Sequence, residues 1–325
     1  MRKTHAIRIH EHGGPEVMRR EEIEIAEPGN GEVLVRQTAV GLNYIDTYHR
    51  TGLYPVELPA VLGREAAGVI EAVGPDVDQL AAGERVVYAM YPGSYCELRV
   101  VPVASLVPLP DTIDDRTAAA MMLKGLTAHY LLRRTHRVEP AETILFHAAA
   151  GGVGLIACQW ASHLGATVIG TVGSEEKADL ARTHGCDHVV LYDREDVVGR
   201  VREITGGRGV PVVYDSVGEA TFEQSLDCLA PLGLMVSFGN ASGPVPPFSI
   251  GKLAQKGSLF VTRPTLATYI ARREDLLAAS RELFDVVASG AVKVEIGQTY
   301  PLNEAAEAHR DLESRKTTGS TLLIP

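Results

Sequence analysis

The sequence predicts an α/β protein in which a doubly wound parallel sheet is joined to a smaller, mostly β unit. Three observations carry that prediction. Phe146–Gly154 reads Phe-His-Ala-Ala-Ala-Gly-Gly-Val-Gly, set between the apolar run Thr143–Leu145 and a helical apolar pattern from Leu155. From about residue 124 apolar strands and helical stretches alternate, the rhythm of a parallel sheet with right-handed crossovers. The first hundred or so residues are instead short alternating stretches broken by turn residues, too frequent for helices.

The β unit is read from Glu32–Arg36, Gly68–Val73 and Glu84–Val87, with turns at Gly13-Gly14-Pro15, Pro28–Gly31, Gly74-Pro75-Asp76 and Pro92-Gly93. After the glycine turn come strand Thr167–Val172, helix Glu175–His184, strand His188–Leu191 and helix Asp196–Thr205. Strand Val210–Asp215, helix Thr221–Leu229, and strands Leu234–Phe238 and Ser258–Thr262 follow. The last stretch reads as helix Arg273–Ser289, strand Val292–Gln298, helix Asn303–Glu313 and strand Gly319–Ile324. These terminal segments are expected to return to the β unit. The expected domains are therefore 1–123 with 264–325, and 124–263 between them.

At 325 residues, 45% apolar and 22% charged, the chain has an ordinary globular composition. A formal charge of −10 argues against nucleic-acid partners and anionic membranes, which are bound through clustered Lys and Arg. Cys96, Cys158, Cys186 and Cys228 are scattered, which suits neither a disulfide framework nor structural zinc. The N-terminal segment alternates like a strand, without a signal-peptide core, and no apolar run spans a bilayer. A cytoplasmic, reduced protein is expected.

A strand, tiny residues and a helix start form a cradle for a dinucleotide pyrophosphate: the backbone comes close, and Gly151, Gly152 and Val153 offer N–H groups at the positive dipole end. An NAD site usually places a carboxylate roughly 20 residues further on, at the end of the second strand, for the ribose 2′-hydroxyl. Here the strand ends Val172-Gly173-Ser174, and Lys177 follows. A capping box would want Glu or Gln at Lys177, and a cation in the first turn opposes the helix dipole. A missing carboxylate beside a locally unfavourable cation reads as a 2′-phosphate site, hence NADPH. The plainer alternative is a capping serine and a solvated lysine, and Glu175 and Glu176 would have to point away. Tyr192, ending the next strand, either packs on adenine, bonds the phosphate or is a surface tyrosine.

The chain resembles the medium-chain dehydrogenase/reductase superfamily. Asn43, in Ala39–Asp46, stands where zinc alcohol dehydrogenases carry a catalytic cysteine, and Arg64, in Leu62–Val69, replaces a histidine ligand. The cysteine-rich structural lobe is missing, so no metal site is expected. The pattern is similar to the zinc-free quinone oxidoreductases, the zeta-crystallin family, and to its bacterial NADPH-dependent members in particular. Asn43–Tyr48, Lys124–Thr127, His147–Gly154, Tyr214–Gly218, Ser237–Asn240 and Val261–Pro264 carry the resemblance, which covers essentially the whole chain. It implies a Rossmann unit and a GroES-like catalytic unit. It also implies a cofactor pocket that includes Asn43, Tyr130, Gly152, Val153, Ser174, Lys177, Tyr192, Ser216, Phe238, Asn240 and Arg315. His129 and Cys96 depart from the pattern.

Without zinc to stabilise an alkoxide, acceptors that tolerate developing charge are favoured, quinones first and conjugated enones or enals second. The protein's work is then positioning and a hydrogen bond to the acceptor oxygen. Candidate donors at the interdomain cleft are Asn43, Tyr48, Tyr54 and Arg263, although Asn43 is as well suited to fix a turn or the nicotinamide. Six of the eleven tyrosines fall within residues 44–95, as stacking partners for a flat acceptor or simply as packing in a strand-rich unit. Asp46 is read as orienting the Asn43 loop. The leading expectation is an NADPH:quinone reductase. The alternatives are an enone or alkenal reductase, or a non-enzymatic NADPH-binding structural or RNA-binding protein. A homodimer paired through the edge strand Leu259–Val261 is expected from the family habit and from an uncovered apolar edge.

Overall fold

A computed structural model describes residues 2–325. The chain opens with β1 (Arg2–Ile9), β2 (Arg19–Ile25) and β3 (Glu32–Leu42), then α1 (Tyr44–Thr51). Next come β4 (Ala60–Val61), β5 (Glu65–Val73), β6 (Arg85–Ala89), β7 (Leu98–Pro102), β8 (Val107–Pro108) and α2 (Asp115–Tyr130). The alternating part follows: β9 (Thr143–Phe146), α3 (Gly152–His163), β10 (Thr167–Val172), α4 (Glu175–Thr183), β11 (His188–Leu191), α5 (Val197–Ile204), β12 (Val210–Asp215) and α6 (Phe222–Cys228). It continues with β13 (Leu229–Ser237), α7 (Gly251–Gln255), β14 (Phe260–Thr262), α8 (Leu266–Tyr269) and α9 (Arg273–Ala288), and the chain ends with β15 (Ile296–Pro301), α10 (Ala305–Glu313) and β16 (Ser320–Ile324).

Several elements depart from the sequence reading: the strand expected at Val292–Gln298 is β15, Ile296–Pro301, the short helices α7 and α8 have no counterpart in it, and two more differences lie near the start of the chain. Residues 44–51, expected as a loop, form α1: Asn43 enters it extended at φ −134°, and Gly52 ends it left-handed at φ +80°. The helical rhythm expected from 124 begins earlier, with α2, whose entry is fixed by Thr117 N–H donating to Asp114 Oδ1 at 2.9 Å.

The chain divides into two compact units. One runs to Lys124 and adds Arg272–Phe284 and Val294–Pro325; the other comprises Gly125–Ala271 and Asp285–Lys293. The boundary expected after Arg263 thus falls inside the second unit, and the division places 264–271 and 285–293 there.

In the first unit, seven strands pair around β3 in the order β15-β16-β3-β5-β6-β8, with β7 also on β3, and β2-β1-β4 form a smaller sheet. All these pairings are antiparallel except β15 with β16. Ile9, Val35, Val40, Ile70, Tyr88, Tyr95 and Leu323 are among its buried core residues. The second unit holds one six-stranded sheet, β11-β10-β9-β12-β13-β14, parallel throughout. Its core includes Leu145, Ile169, Val213, Phe222 and Met235. The strand order reverses direction between β9 and β12, and in such sheets the crevice outside the strands' carboxyl ends at that point is where ligands bind.

Candidate active site

The second unit's crevice begins where β9 ends. Ala148 adopts a left-handed φ of +55°, and the chain turns into α3 with Gly151 at its N-cap. A Cβ at Gly154 would lie 2.4 Å from the Ala148 carbonyl oxygen and 2.6 Å from that of Ala149. The turn therefore packs on the helix start and admits no side chain there. Gly151 has no side chain with which to cap, so the first-turn N–H groups of Gly152 and Val153 suit an anion.

After β10 the chain passes Gly173 and enters α4 through Ser174, whose Oγ accepts from Lys177 N–H at 3.3 Å. Glu175 pairs with Arg194 at 3.2 Å, both exposed. Tyr192 comes against Gly173: its hydroxyl lies 2.4 Å from where a Cβ would be, so only bare backbone lets the phenol lie there. Ser174, Lys177 and Tyr192 thus share one corner. The Asp193 carboxylate comes within 3.6 Å of the same Cβ point, a negative charge that a phosphate must be held away from.

The loops after β12 and β13 are stitched together. Ala241 N–H donates to Ser216 O at 3.1 Å, Ser242 N–H to Val217 O at 2.8 Å, and Phe238 N–H to Asp215 O at 2.8 Å. A Cβ on Gly239 would meet Ser216 O at 2.4 Å. This stitching places Ser216, Phe238 and Asn240 side by side. Arg263 donates to Ser237 O at 2.8 Å and Gly239 O at 3.3 Å, so its guanidinium buttresses the end of β13.

Beneath the crevice lies a polar chain. His147, 1% exposed, bonds Thr171 Oγ1 through Nδ1 at 2.9 Å and Ser225 Oγ through Nε2 at 3.0 Å. Ser225 and Thr221 donate to Asp215 Oδ2 at 2.7 and 2.6 Å, and Val217 and Gly218 N–H donate to Oδ1 at 2.7 and 3.0 Å. Burial holds the His147 imidazole below its usual pKa, against the nearby Asp215 charge.

In the first unit the candidates lie on one segment. Asn43 N–H donates to Asp46 Oδ2 at 2.9 Å, the orienting role expected of Asp46. The Asn43 amide nitrogen donates to Glu65 Oε2 at 2.8 Å and to Gly41 O at 3.3 Å. Both amide hydrogens are engaged, so the expectation of Asn43 as a donor to an acceptor oxygen is corrected: its remaining polar atom is the acceptor Oδ1. The Tyr48 and Tyr54 rings meet edge to face at 5.2 Å, and Tyr54 N–H bonds Tyr48 O at 3.0 Å. Of the other tyrosines in 44–95, Tyr88 and Tyr95 are fully buried and belong to the core, and Tyr44 donates to Leu312 O.

Asp46 anchors a second buried chain. Tyr95 OH donates to its Oδ2 at 3.0 Å and lies 3.0 Å from His309 Nε2; Arg50 donates to His309 Nδ1 at 2.8 Å and pairs with Glu313 at 2.7 Å. Asp46 Oδ1 is buried without a hydrogen-bond partner, and burial pushes the Asp46 carboxyl up to about 7. Burial, reinforced by Arg50, pushes His309 down to about 3.

Two further residues implied by the family resemblance lie in different units. Tyr130, in the second unit, is 3% exposed and stacks on Tyr269 at 4.5 Å. Arg315 belongs to the first unit, exposed, at a left-handed φ of +60° just past α10. The sequence reading gave no role to Glu65 or to the buried Asp215 and Ser225. The available signals were a lone Lys124 in the apolar run Met121-Met122-Leu123 and the bare Gly41 beside Asn43.

A parallel dinucleotide-type sheet carried in one chain with an antiparallel β unit defines a medium-chain dehydrogenase/reductase. Residues 152–280 match the family model described as zinc-binding dehydrogenase, and 29–111 that of the alcohol dehydrogenase GroES-like domain. A quinone oxidoreductase of Pseudomonas aeruginosa is 57% identical, with 97% of each chain covered. The crystal structure of Escherichia coli quinone oxidoreductase complexed with NADPH superposes at TM-score 0.97 with 54% identity, covering 99% of this chain and 100% of that one. A 2-haloacrylate reductase of Burkholderia sp. is 47% identical over 98% of both chains. The chain belongs to the quinone oxidoreductase family.

Despite the zinc-binding description, the two expected ligand positions hold Asn43 and Arg64, and Arg64 donates to His49 Nε2 at 2.8 Å and Met90 O at 3.0 Å. Among the described residues, no group of three or more His, Cys, Asp or Glu side chains could hold a metal ion. Nor is any described helix long and apolar enough to cross a membrane.

Proposed function

We propose that this chain is an NADPH-dependent quinone reductase that transfers hydride without a metal. The observation that carries the reading is the α4 entrance. Ser174 stands where a carboxylate would select NAD, Lys177 lies in the first turn, and Tyr192 lies against Gly173. The residues fit the cofactor: the first-turn N–H groups of Gly152 and Val153 suit a pyrophosphate, and Lys177 supplies a cation for a 2′-phosphate. When bound, NADPH supplies the hydride. The protein's part is to hold the pyrophosphate on α3, to orient the acceptor with Tyr48 and Tyr54, and to present Asn43 Oδ1 to a donor on a bound group. A quinone suits this inventory because its reduced form is an aromatic oxyanion that needs only a neutral hydrogen bond, not a Lewis acid.

The similarity to a 2-haloacrylate reductase favours a second reading, reduction of a conjugated alkene acid, by the same hydride donor. Steady-state turnover with NADPH and NADH against simple quinones, enones and 2-haloacrylates separates the two. Quinones are expected to react fastest with NADPH, saturated aldehydes and alcohols to be nearly inert, and a faster alkene than every quinone would put the second reading first.

We also infer a homodimer paired through β14. It is the edge strand of the second unit's sheet, and Phe260 on it is 59% exposed; Leu232 and Ile250, in the same unit, are 68% and 81% exposed. Sedimentation showing only monomer at micromolar concentration would remove this inference. The four cysteines are free and buried, which suits a reducing cytoplasm.

A further inference from the structure

We propose that Lys124 is a positioning residue for the reaction, acting through Glu65 on the carboxamide of Asn43; this rests on the reductase reading above. Glu65, the first residue of β5, is fully buried. Its Oε2 accepts from Asn43 Nδ2 at 2.8 Å and Lys124 Nζ at 3.1 Å, and its Oε1 accepts from Leu123 N–H at 2.5 Å. The Lys124 side chain is 7% exposed. The neighbouring backbone is shaped around this carboxylate: a Cβ at Gly41 would lie 2.2 Å from Glu65 Oε2 and 2.3 Å from Ala119 O. Glycine is therefore needed at 41 for β3, β5 and α2 to converge on one carboxylate.

A buried ion pair of this kind adds little net stability, since desolvation offsets most of the attraction. Its use is directional. A carboxamide turned end for end has nearly the same shape, and only its hydrogen-bond partners decide which end carries the hydrogens. A carboxylate accepts and has no hydrogen to give, so Glu65 selects the Asn43 rotamer with Nδ2 against it and Oδ1 on the other side of the amide. Lys124 Nζ on Oε2 and Leu123 N–H on Oε1 pin both oxygens of that carboxylate, so Oε2 stays against Asn43 Nδ2. Without the ammonium the carboxylate is pinned only through Oε1, Oε2 can swing from Asn43 Nδ2, and the amide orientation is no longer selected. Asn43 also enters α1, so its backbone is held while its amide turns. A ligand group that meets Oδ1 must be an N–H or O–H donor.

The test uses the full-length protein and its four asparagines, Asn30, Asn43, Asn240 and Asn303. Selective 15N labelling gives four side-chain amide pairs, the Asn43 pair being identified by its loss in Asn43→Asp. In the wild type that pair should be the slowest of the four to exchange with solvent. Lys124→Met should speed its exchange at least tenfold and lower kcat at least tenfold, with KM and Kd for NADPH within about twofold. Lys124→Arg, which keeps the charge, should retain the slow pair and a third or more of kcat. An unchanged Asn43 signature in Lys124→Met overturns the proposal, whether kcat falls (Lys124 then acts on its own) or not. If Lys124→Met does not fold, Glu65→Gln decides by the same two readouts, and a wild-type signature there overturns it equally. Failure of wild-type turnover with every quinone and alkene would instead reject the functional reading, and leaves the exchange measurement to judge the Lys124–Glu65–Asn43 linkage by itself.

Discussion

The two units each bury a carboxylate beneath their candidate residues, and they satisfy it in opposite ways. Asp215 receives four neutral donors, two on each oxygen, from its own following turn and from α6 and its N-cap Thr221. Asp46 receives two, both on Oδ2, while Oδ1 has no partner. The first arrangement ties strand ends together and makes the crevice rigid. The second leaves a carboxyl pushed up to about 7, poised between charged and neutral beneath the segment that carries Asn43 and the tyrosines. The second unit's candidate residues thus rest on a fully satisfied carboxylate, and the first unit's on one left half-satisfied.

The largest effect should come from altering the fully satisfied carboxylate. Asp215→Asn turns an amide N–H₂ toward two donors, and hydrogen bonds to a charged group are worth about 1.5–3 kcal/mol each. A loss of about 3 kcal/mol or more in urea unfolding is expected. Asp46→Asn, whose amide hydrogens can face the unpartnered side, should cost under about 1 kcal/mol. Equal losses at the two sites would erase the contrast.

Next is Lys177→Ala, which removes the cation proposed for the 2′-phosphate. A charge-assisted contact of about 1.5–3 kcal/mol corresponds to NADPH binding weakened roughly tenfold to a hundredfold, with NADH nearly unchanged. Equal loss for both cofactors would mean that Lys177 serves the fold.

His309 sharpens the comparison through pH. Its folded pKa of about 3 lies below the unfolded value of 6.5, so its contribution is complete above 6.5 and is lost as pH falls from there toward 3. Asp46, raised, has the opposite sign and is present in both proteins compared. Between pH 7 and 5, His309→Gln should therefore lose about 2 kcal/mol less stability than the wild type. Parallel melting curves against pH would show that His309 takes up its proton freely when folded.

The smallest effect is expected at Tyr54, half-buried against Tyr48. Tyr54→Phe should raise KM or lower kcat for quinone by about 0.5–1.5 kcal/mol, a neutral hydrogen bond's worth, leaving NADPH affinity intact.

The cofactor end was the legible one because its signals are local: a glycine turn, a strand of fixed period, a cap, a cation out of place. Strands β10, β11 and β12 stand where the residues put them. The acceptor end was less legible because its determinants are distant in sequence. Tyr-Ile-Asp-Thr-Tyr-His-Arg-Thr is poor in helix formers, so α1 depends on its ends, Asn43 and Gly52, and on tertiary contacts. In α2 the run Ala118–Met122 is fully buried, which removes the polar stripe that would announce a helix, and Gly125 reads as a break. The role of Asn43 turned on Glu65 and Lys124, residues 22 and 81 positions away, and no spacing rule links them. Tyrosines with equal claims in the sequence were separated only by burial.

The Ser174 hydroxyl caps the start of α4 and leaves position 174 without a carboxylate. Aspartate caps a helix as well as serine does. An exchange at this position can therefore redirect cofactor choice while the helix keeps its cap. The barrier between an NADPH enzyme and an NADH enzyme on this scaffold is then one of selectivity with almost no foldability cost. Lineages and engineers alike can cross it in steps that each leave a stable protein.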